Sequence, residues 1–331
     1  MSDTSECKSL PNGLKPLLFT APESHYFGEL LGKSLNITPV PICNKKFSNG
    51  EDYYRIPIDD HLDLVGRDTI LVCGTQTDQA FLFLLRVGQQ LATLGTRRRV
   101  FITPFYGYST MERAQIPGEI VTAKANARLL STIPSMGLGN VFLFLDLHVQ
   151  TIQYFIENVI ALELYSEKVL RDAIIEHICP LITPKENFLF GSSDLGRPLW
   201  IQSYARYFHV NMAFIDKKRT FEKIRVSNVI GDVEGKSVII FDDMIRSGGT
   251  LVAACDAYLE NGATAVYAVV SHFAASNQQV IEMLEKSHLA KIVATNSHPH
   301  SQWDSVKNSE KIVITDASVV FQSAMEKLLT H

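Results

Sequence analysis

Several features are missing from this chain of 331 residues, and each absence closes off a class of function. No apolar run reaches the roughly 20 residues that a membrane-spanning helix needs, so no membrane partner is expected. The first dozen residues, Met1 to Asn12, have neither an apolar core nor an arginine-rich amphipathic pattern. They hold no evident secretory or transit peptide, and a cytoplasmic protein is the expectation. A basic surplus is missing too: 31 Lys and Arg against 35 Asp and Glu leave a net charge of −4, which gives no electrostatic reason to expect nucleic acid. The five cysteines, at positions 7, 43, 73, 179 and 255, are odd in number and share no paired spacing. Neither a disulfide framework nor a zinc knuckle is implied, and free thiols are the default. Gly231 to Ser237 is one residue too short for the phosphate-loop pattern and leads into a strand where that motif requires a helix, so it reads as a connector.

Hydrophobic alternation is abundant instead. With 46% hydrophobic residues the chain is long enough for two cored domains. Strand-sized apolar runs occur at Thr69 to Cys73, Arg99 to Thr103, Val141 to Leu145, Phe188 to Phe190, Ala213 to Ile215, Val238 to Phe241, Val266 to Val270 and Lys291 to Ala294. Between them lie helix-period segments at Ala80 to Leu94, Ile120 to Ser131, Ser166 to Ile178, Pro198 to Phe208, Leu251 to Glu260 and Ala275 to Glu285. Strand, helix, strand, helix is the pattern of parallel α/β layers. Val141 to His148 and Val238 to Thr250 both read as an apolar strand delivering acid at its end and then a helix, so a duplicated α/β unit is plausible. The boundary is expected near Asn158 to Glu163, giving domains over 15–160 and 161–310. A terminal strand (Val313 to Ile314) and helix (Val319 to Leu329) within 311–331 are expected to pack on the first domain.

One stretch carries most of the chemistry. Val238 to Phe241 is the kind of apolar, β-branched run that a parallel sheet buries on both faces. Asp242 and Asp243 follow at its carboxyl end, where open α/β sheets bind ligands. Then come Arg246, Ser247, Gly248, Gly249 and Thr250. Glycines let backbone N–H groups close on an anion, the hydroxyls donate further hydrogen bonds, and a helix starting near Thr250 adds its positive end. A phosphate fits the loop, and the carboxylates suit sugar hydroxyls. An ordinary strand, turn and N-cap is the plain alternative. Two adjacent acids at a buried strand's end count against it, because their desolvation is costly unless something uses them. Lys217, Lys218 and Arg219 end the Ala213 to Ile215 strand, and the polar segment Thr220 to Ser227 after them reads as a loop carrying cations.

These residues resemble the phosphoribosyl-diphosphate binding motif of the type I phosphoribosyltransferase fold. Other segments narrow the resemblance to the ribose-phosphate diphosphokinase family, over about residues 15 to 330. Phe47-Ser48-Asn49-Gly50-Glu51 resembles the family's nucleotide-contacting loop, Asp146-Leu147-His148 its magnesium and ATP histidine segment, and Ser193-Asp194-Leu195-Gly196 its second metal and diphosphate loop. Ile215 to Arg219 is similar to the start of its catalytic arm. The resemblance implies an α/β fold of two tandem phosphoribosyltransferase-like domains, each a mostly parallel sheet flanked by helices. It also implies ribose 5-phosphate and ATP as substrates, Mg²⁺ as cofactor and a homo-oligomer in which the Phe47 to Glu51 loop completes a neighbour's site. Lys217 and Arg219 become the catalytic pair. Asp242, Asp243 and Arg246 to Thr250 hold the sugar phosphate, Phe47, Asn49, Glu51, Glu112, Arg113 and His148 meet the nucleotide, and His148 with Asp194 takes the metal. Magnesium suits that sparse set, since it prefers few protein ligands plus substrate phosphates.

The departures are informative. Tyr108-Ser109-Thr110-Met111-Glu112-Arg113 stands where the commonest form of the family has Tyr-Ala-Arg-Gln-Asp-Arg, and Arg246-Ser247 replaces an acid and a threonine. With Ile133-Pro134 and Asn296 to Trp303 these resemble the class II synthetases described from plants, which implies a weaker dependence on inorganic phosphate and a broader choice of nucleotide. Asn49 offers both a donor and an acceptor where an aspartate could only accept, so relaxed base selectivity is expected. A phosphoribosyltransferase, sharing only the Asp242 to Thr250 loop, and a catalytically silent homologue are the alternatives.

Overall fold

The computed structural model describes residues 15–184, 187–193, 198–219 and 224–329, with backbone alone at 198, 217–219 and 224–228. The chain divides into two compact units, residues 1–165 with 318–331, and 166–317. Each is a mostly parallel sheet flanked by helices. Among the described residues no helix is long and apolar enough to cross a membrane.

In the first unit β1 (Leu17–Thr20) and α1 (His25–Leu35) precede β2 (Pro39–Pro41), and a hairpin of β3 (Cys43–Lys46) and β4 (Asp52–Arg55) stands apart as its own two-stranded sheet. Then follow β5 (Asp68–Val72), α2 (Asp78–Thr93), β6 (Arg98–Thr103), α3 (Thr122–Leu130), β7 (Asn140–Leu145), a 3₁₀ turn over Gln150–Phe155 and β8 (Ile160–Leu164). The sheet order is β2-β1-β5-β6-β7-β8, every pair parallel. Strands β5, β6 and β7 are buried at every residue, polar ends included, as the apolar centres of a sheet covered on both faces require. Helix α2 starts at Thr77, whose hydroxyl caps the Ala80 N–H at 3.1 Å. Phe101 stacks on Phe142 at 4.5 Å in the core beneath it.

The second unit holds α4 (Glu167–His177), β9 (Phe188–Ser192), α5 (Pro198–Phe208), β10 (Met212–Arg219), β11 (Ile224–Ile230), β12 (Ser237–Ile245), α6 (Gly249–Glu260), β13 (Ala265–Phe273), α7 (Gln278–Lys286), β14 (Lys291–Thr295), α8 (Asp304–Lys307) and β15 (Ile312–Thr315). The order is β11-β10-β9-β12-β13-β14-β15, with β10 and β11 the antiparallel pair. Separate cores form on its two faces, one around Leu251, Tyr258 and Leu284, the other around Ile174, Tyr204 and Phe241. Tyr258 reaches across to β9, where its hydroxyl donates to the Ser192 carbonyl at 2.9 Å. A Cβ at Gly191 would lie 2.8 Å from that hydroxyl oxygen, so only glycine lets the tyrosine in.

Four sequence expectations change. Residues 160–164 form strand β8, paired with β7, across the place where the domain boundary was expected. The tail is split: β15 pairs with β14 in the second sheet, while α9 (Ser318–Leu329) packs on α1 through Phe27 and Phe321, with ring centroids 5.7 Å apart. Ile224 to Ser227, expected within the loop Thr220 to Ser227, lie on β11, and β10 runs on to Arg219 in ladder with it, while Thr220 to Lys223 lie outside the described residues. The polar residues after Ile215 masked the strand, and the β11 amides supply the partners that a lone charged run lacks. Cys43 is disulfide-bonded, whereas Cys73, Cys179 and Cys255 are free thiols; a scattered set of cysteines carries no spacing signal for a single bridge.

Candidate active site

Strand β12 is longer than its apolar run. Its pairing with β9 ends at Phe241 opposite Ser192, but its pairing with β13 continues to Ile245 opposite Phe273. Asp242 and Asp243 therefore lie inside the strand, past the end of one neighbour, and not after the strand as the sequence suggested. The Asp243 N–H donates to Asp242 Oδ1 at 2.9 Å, and Ser193 Oγ donates to Asp242 Oδ2 at 2.7 Å. Asp243 is buried and Asp242 half-buried. Burial first, and the Asp243 carboxylate second, push the Asp242 carboxyl above the usual range, against the smaller opposing pull of Ser193. Two acids are thus held where their charges repel, an arrangement relieved by hydroxyl donors or a cation.

The loop beyond is braced from behind. The Ile245 and Arg246 carbonyls accept from the Ala274 and Ser276 N–H groups, each at 3.0 Å. His300 Nδ1 lies 2.7 Å from the Ala275 carbonyl in the same bracing segment. Gly248 caps α6 at φ +71°, and a Cβ there would meet Met283 Cε at 2.7 Å. Nothing lies within 4 Å of a Cβ built on Gly249, so the space in front of the first turn is open. The first-turn N–H groups of any α-helix lack intrahelical acceptors, and here they border that space. Arg246 and Ser247 are exposed and Thr250 half-buried beside it. The sequence-nominated set from Asp242 to Thr250 is thus one continuous strand-loop-helix feature able to hold an anion next to hydroxyl-binding acids.

In the first unit, the β3–β4 hairpin tip carries Phe47, Asn49 and Glu51. Asn49 Oδ1 accepts from the Glu51 N–H at 3.1 Å, which uses one of that oxygen's two lone pairs. Phe47, 46% exposed, meets Tyr53 edge-on at 5.8 Å with the Lys45 ammonium above both rings. A groove of about 740 Å³ runs from Phe47 and Glu51 past Tyr53 to Gln79 and Arg86 on α2. Tyr108, at φ +59°, donates to Asp78 Oδ1 at 2.7 Å, tying the loop that bears Glu112 and Arg113 to the first turn of α2. Those two residues pair with each other at 3.4 Å. His148 is half-buried on the turn after β7, and a 3₁₀ turn follows it where the duplicated pattern suggested an α-helix.

Lys217 and Arg219 lie on β10, their backbones opposite Val226 and Ile224 with a bulge after Asp216. Asp194, with Leu195 and Gly196, and arm residues Thr220 to Lys223 lie outside the described residues. Among the described residues no three His, Cys, Asp or Glu side chains converge as a metal cage. Sequence reasoning missed Ser193 as a partner of Asp242, and Glu163, whose carboxylate bonds the turn before His148 at 2.8 Å. An acid on an otherwise apolar strand was the available signal for the latter.

Comparison with known proteins gives a consistent picture. Residues 17–133 match the family model described as the N-terminal domain of ribose phosphate pyrophosphokinase, and residues 203–331 match the phosphoribosyl synthetase-associated domain. A ribose-phosphate pyrophosphokinase of Wolinella succinogenes is 30% identical, covering 94% of this chain and 95% of that one. One from Maricaulis maris is 32% identical over 76% of this chain and 78% of its own. The crystal structure of phosphoribosylpyrophosphate synthetase from Mycobacterium smegmatis superposes with a TM-score of 0.83 at 24% identity, covering 96% of this chain and 99% of that one, and so shares the fold.

Proposed function

The chain belongs to the ribose-phosphate pyrophosphokinase family, and we propose from that premise that it converts ribose 5-phosphate and ATP to phosphoribosyl diphosphate and AMP. The observation that carries the reading is the Asp242–Thr250 feature: a repelling acid pair continuous with an open glycine loop at a helix start. Ser247 to Thr250 grip the 5-phosphate with main-chain N–H groups and hydroxyls, and Arg246 adds charge at the rim. Asp242 and Asp243 accept hydrogen bonds from the ribose hydroxyls and so orient the anomeric hydroxyl. That hydroxyl attacks the β-phosphorus, and the diphosphoryl group moves as a unit while AMP departs.

Lys217 and Arg219 are assigned to the charge that spreads over the transferred group, since preorganised cations act most strongly where water is excluded. Phe47, Asn49, Glu51, Glu112, Arg113 and His148 are assigned to the nucleotide. Magnesium draws most of its ligands from phosphate and water oxygens, so two protein ligands suffice. His148 with Asp194 would hold the ion, which when bound screens the polyphosphate charge. A homo-oligomer working in the cytoplasm belongs to the same proposal.

The deciding assay is AMP release from ATP that depends on ribose 5-phosphate. A phosphoribosyltransferase would instead consume phosphoribosyl diphosphate with a base, and a silent homologue would release no AMP. Failure to see sugar-dependent AMP would end the reading.

A further inference from the structure

Strand β8 inverts the usual pattern of a sheet strand. Ile160 and Leu162 are 52% and 44% exposed, whereas Glu163, between apolar neighbours, is 9% exposed. An apolar-out, acid-in strand breaks the binary rule, and such local violations concentrate where function requires them. The parallel register sets Glu163 opposite Phe144 and Leu164 opposite Leu145, at the carboxyl end of β7. From there Glu163 Oε1 accepts from the Leu147 N–H at 2.8 Å, and the Leu164 carbonyl accepts from the Asp146 N–H at 3.0 Å. Both amides just before His148 are therefore held by a neighbouring strand. Asp146 needs that restraint, because it sits at φ +41°, in the left-handed region that few non-glycine residues adopt.

The second carboxylate oxygen is also occupied. Tyr165 donates its hydroxyl to Glu163 Oε2 at 3.1 Å, and Gln150 Nε2 donates to the same hydroxyl at 2.8 Å. The amide of Gln150 thereby directs the phenolic proton toward the acid. Burial, and then Glu163, push the Tyr165 phenol up to about 12, so it remains a donor throughout the neutral range. A buried carboxylate carries a large desolvation penalty unless hydrogen-bonded, and here its bonds go to the turn bearing the imidazole. We propose that Glu163 is a positioning residue for His148: clamped by Tyr165, its carboxylate fixes the Asp146–Leu147 turn and so sets where the imidazole stands. The role in turnover rests on the assignment of His148 to the nucleotide; the geometric coupling between Glu163 and the imidazole does not.

The test uses the full-length protein with E163A, E163Q, Y165F and H148A. Steady-state kinetics are measured against Mg·ATP and ribose 5-phosphate separately, and the His148 imidazole resonance, assigned with H148A, is followed by heteronuclear NMR. E163A should raise the nucleotide KM at least tenfold, leave the sugar KM within twofold, and shift the His148 resonance. E163Q, whose amide oxygen still accepts from Leu147 but whose NH₂ replaces the oxygen that Tyr165 donates to, should fall between wild type and E163A in both readouts, close to Y165F. Y165F should raise the nucleotide KM two- to fivefold and shift the resonance in the same direction, which keeps the idea testable if E163A does not fold. An unmoved His148 resonance in E163A, or in Y165F if E163A fails to fold, would overturn the proposal, as would an equal rise in both KM values. An H148A variant with unchanged nucleotide KM would instead refute the assignment of His148, leaving the NMR result to judge Glu163 by itself.

Discussion

Gly248 and Gly249 are adjacent in the sequence, yet the structure assigns them different jobs, and a pair of alanine substitutions separates the two. At Gly248 the φ of +71° is one at which an L side chain costs about 1–2 kcal/mol. The new methyl group would also lie 2.7 Å from Met283 Cε and 3.3 Å from Val280 Cγ1. The methionine tip can move, so overpacking adds little, and the total comes to about 1–3 kcal/mol. For a unit of this size that lowers Tm by about 2–12 °C. Gly249 is the opposite case: its φ is outside the left-handed region and a Cβ meets nothing within 4 Å. Alanine in the first turn of α6 should be neutral or stabilise by about 0.5–1 kcal/mol. The same methyl group, however, fills the space assigned to the sugar's phosphate. Loss of one hydrogen bond to a charged group, about 1.5–3 kcal/mol, corresponds to a rise of roughly ten- to a hundredfold in the ribose 5-phosphate KM. Thermal melts and initial rates on G248A and G249A read both effects. A G249A protein with normal melting and a normal ribose 5-phosphate KM would refute the anion cradle.

Three further outcomes are expected. The raised carboxyl of Asp242 means that the native state holds a proton which the unfolded chain has already released. Stability from this group is therefore full below the ordinary carboxylate pKa and declines as pH rises through the raised one. D243N, by removing the repelling charge, should flatten that decline in a pH series of melts while abolishing turnover; an unchanged slope would show that the pair is not coupled. K217A should lower kcat about a hundredfold or more with substrate KM values nearly unchanged, and a wild-type kcat would remove the β10 cations from the mechanism. Asn49 spends one oxygen lone pair on the Glu51 N–H and keeps a second acceptor beside its NH₂ donors, a set that can meet an amino or a keto base, so GTP should turn over within tenfold of ATP. A preference for ATP beyond about a hundredfold, some 2.7 kcal/mol, would refute that.

The parts of this protein that were legible as sequence share a physical cause. Val238 to Phe241 reads as a buried strand because every residue is apolar, and Gly248-Gly249 marks the helix entry because few other residues adopt that backbone. The helices from α2 to α7 declare themselves by their 3.6-residue spacing. By contrast, β1 and β2 are only four and three residues long, and β3 has the composition of a loop. β8 was not among the expected strands because its alternation is inverted, and β10 seemed to end at Ile215 because a charged run follows. In each of these, pairing with another strand outweighs local preference.

Local sequence determined the alternating α/β order, the acid pair followed by a glycine loop, and membership of the family, because these depend on residue types within a few positions of one another. Only the tertiary structure decided that Asp242 outlasts its β9 neighbour and accepts from Ser193, 49 residues away, that the loop behind it is braced by residues 274–276, and that an acid on β8 holds the turn of His148. Those are contacts between segments far apart along the chain, and they follow from strand register and crossover connections, which no window of neighbouring residues encodes.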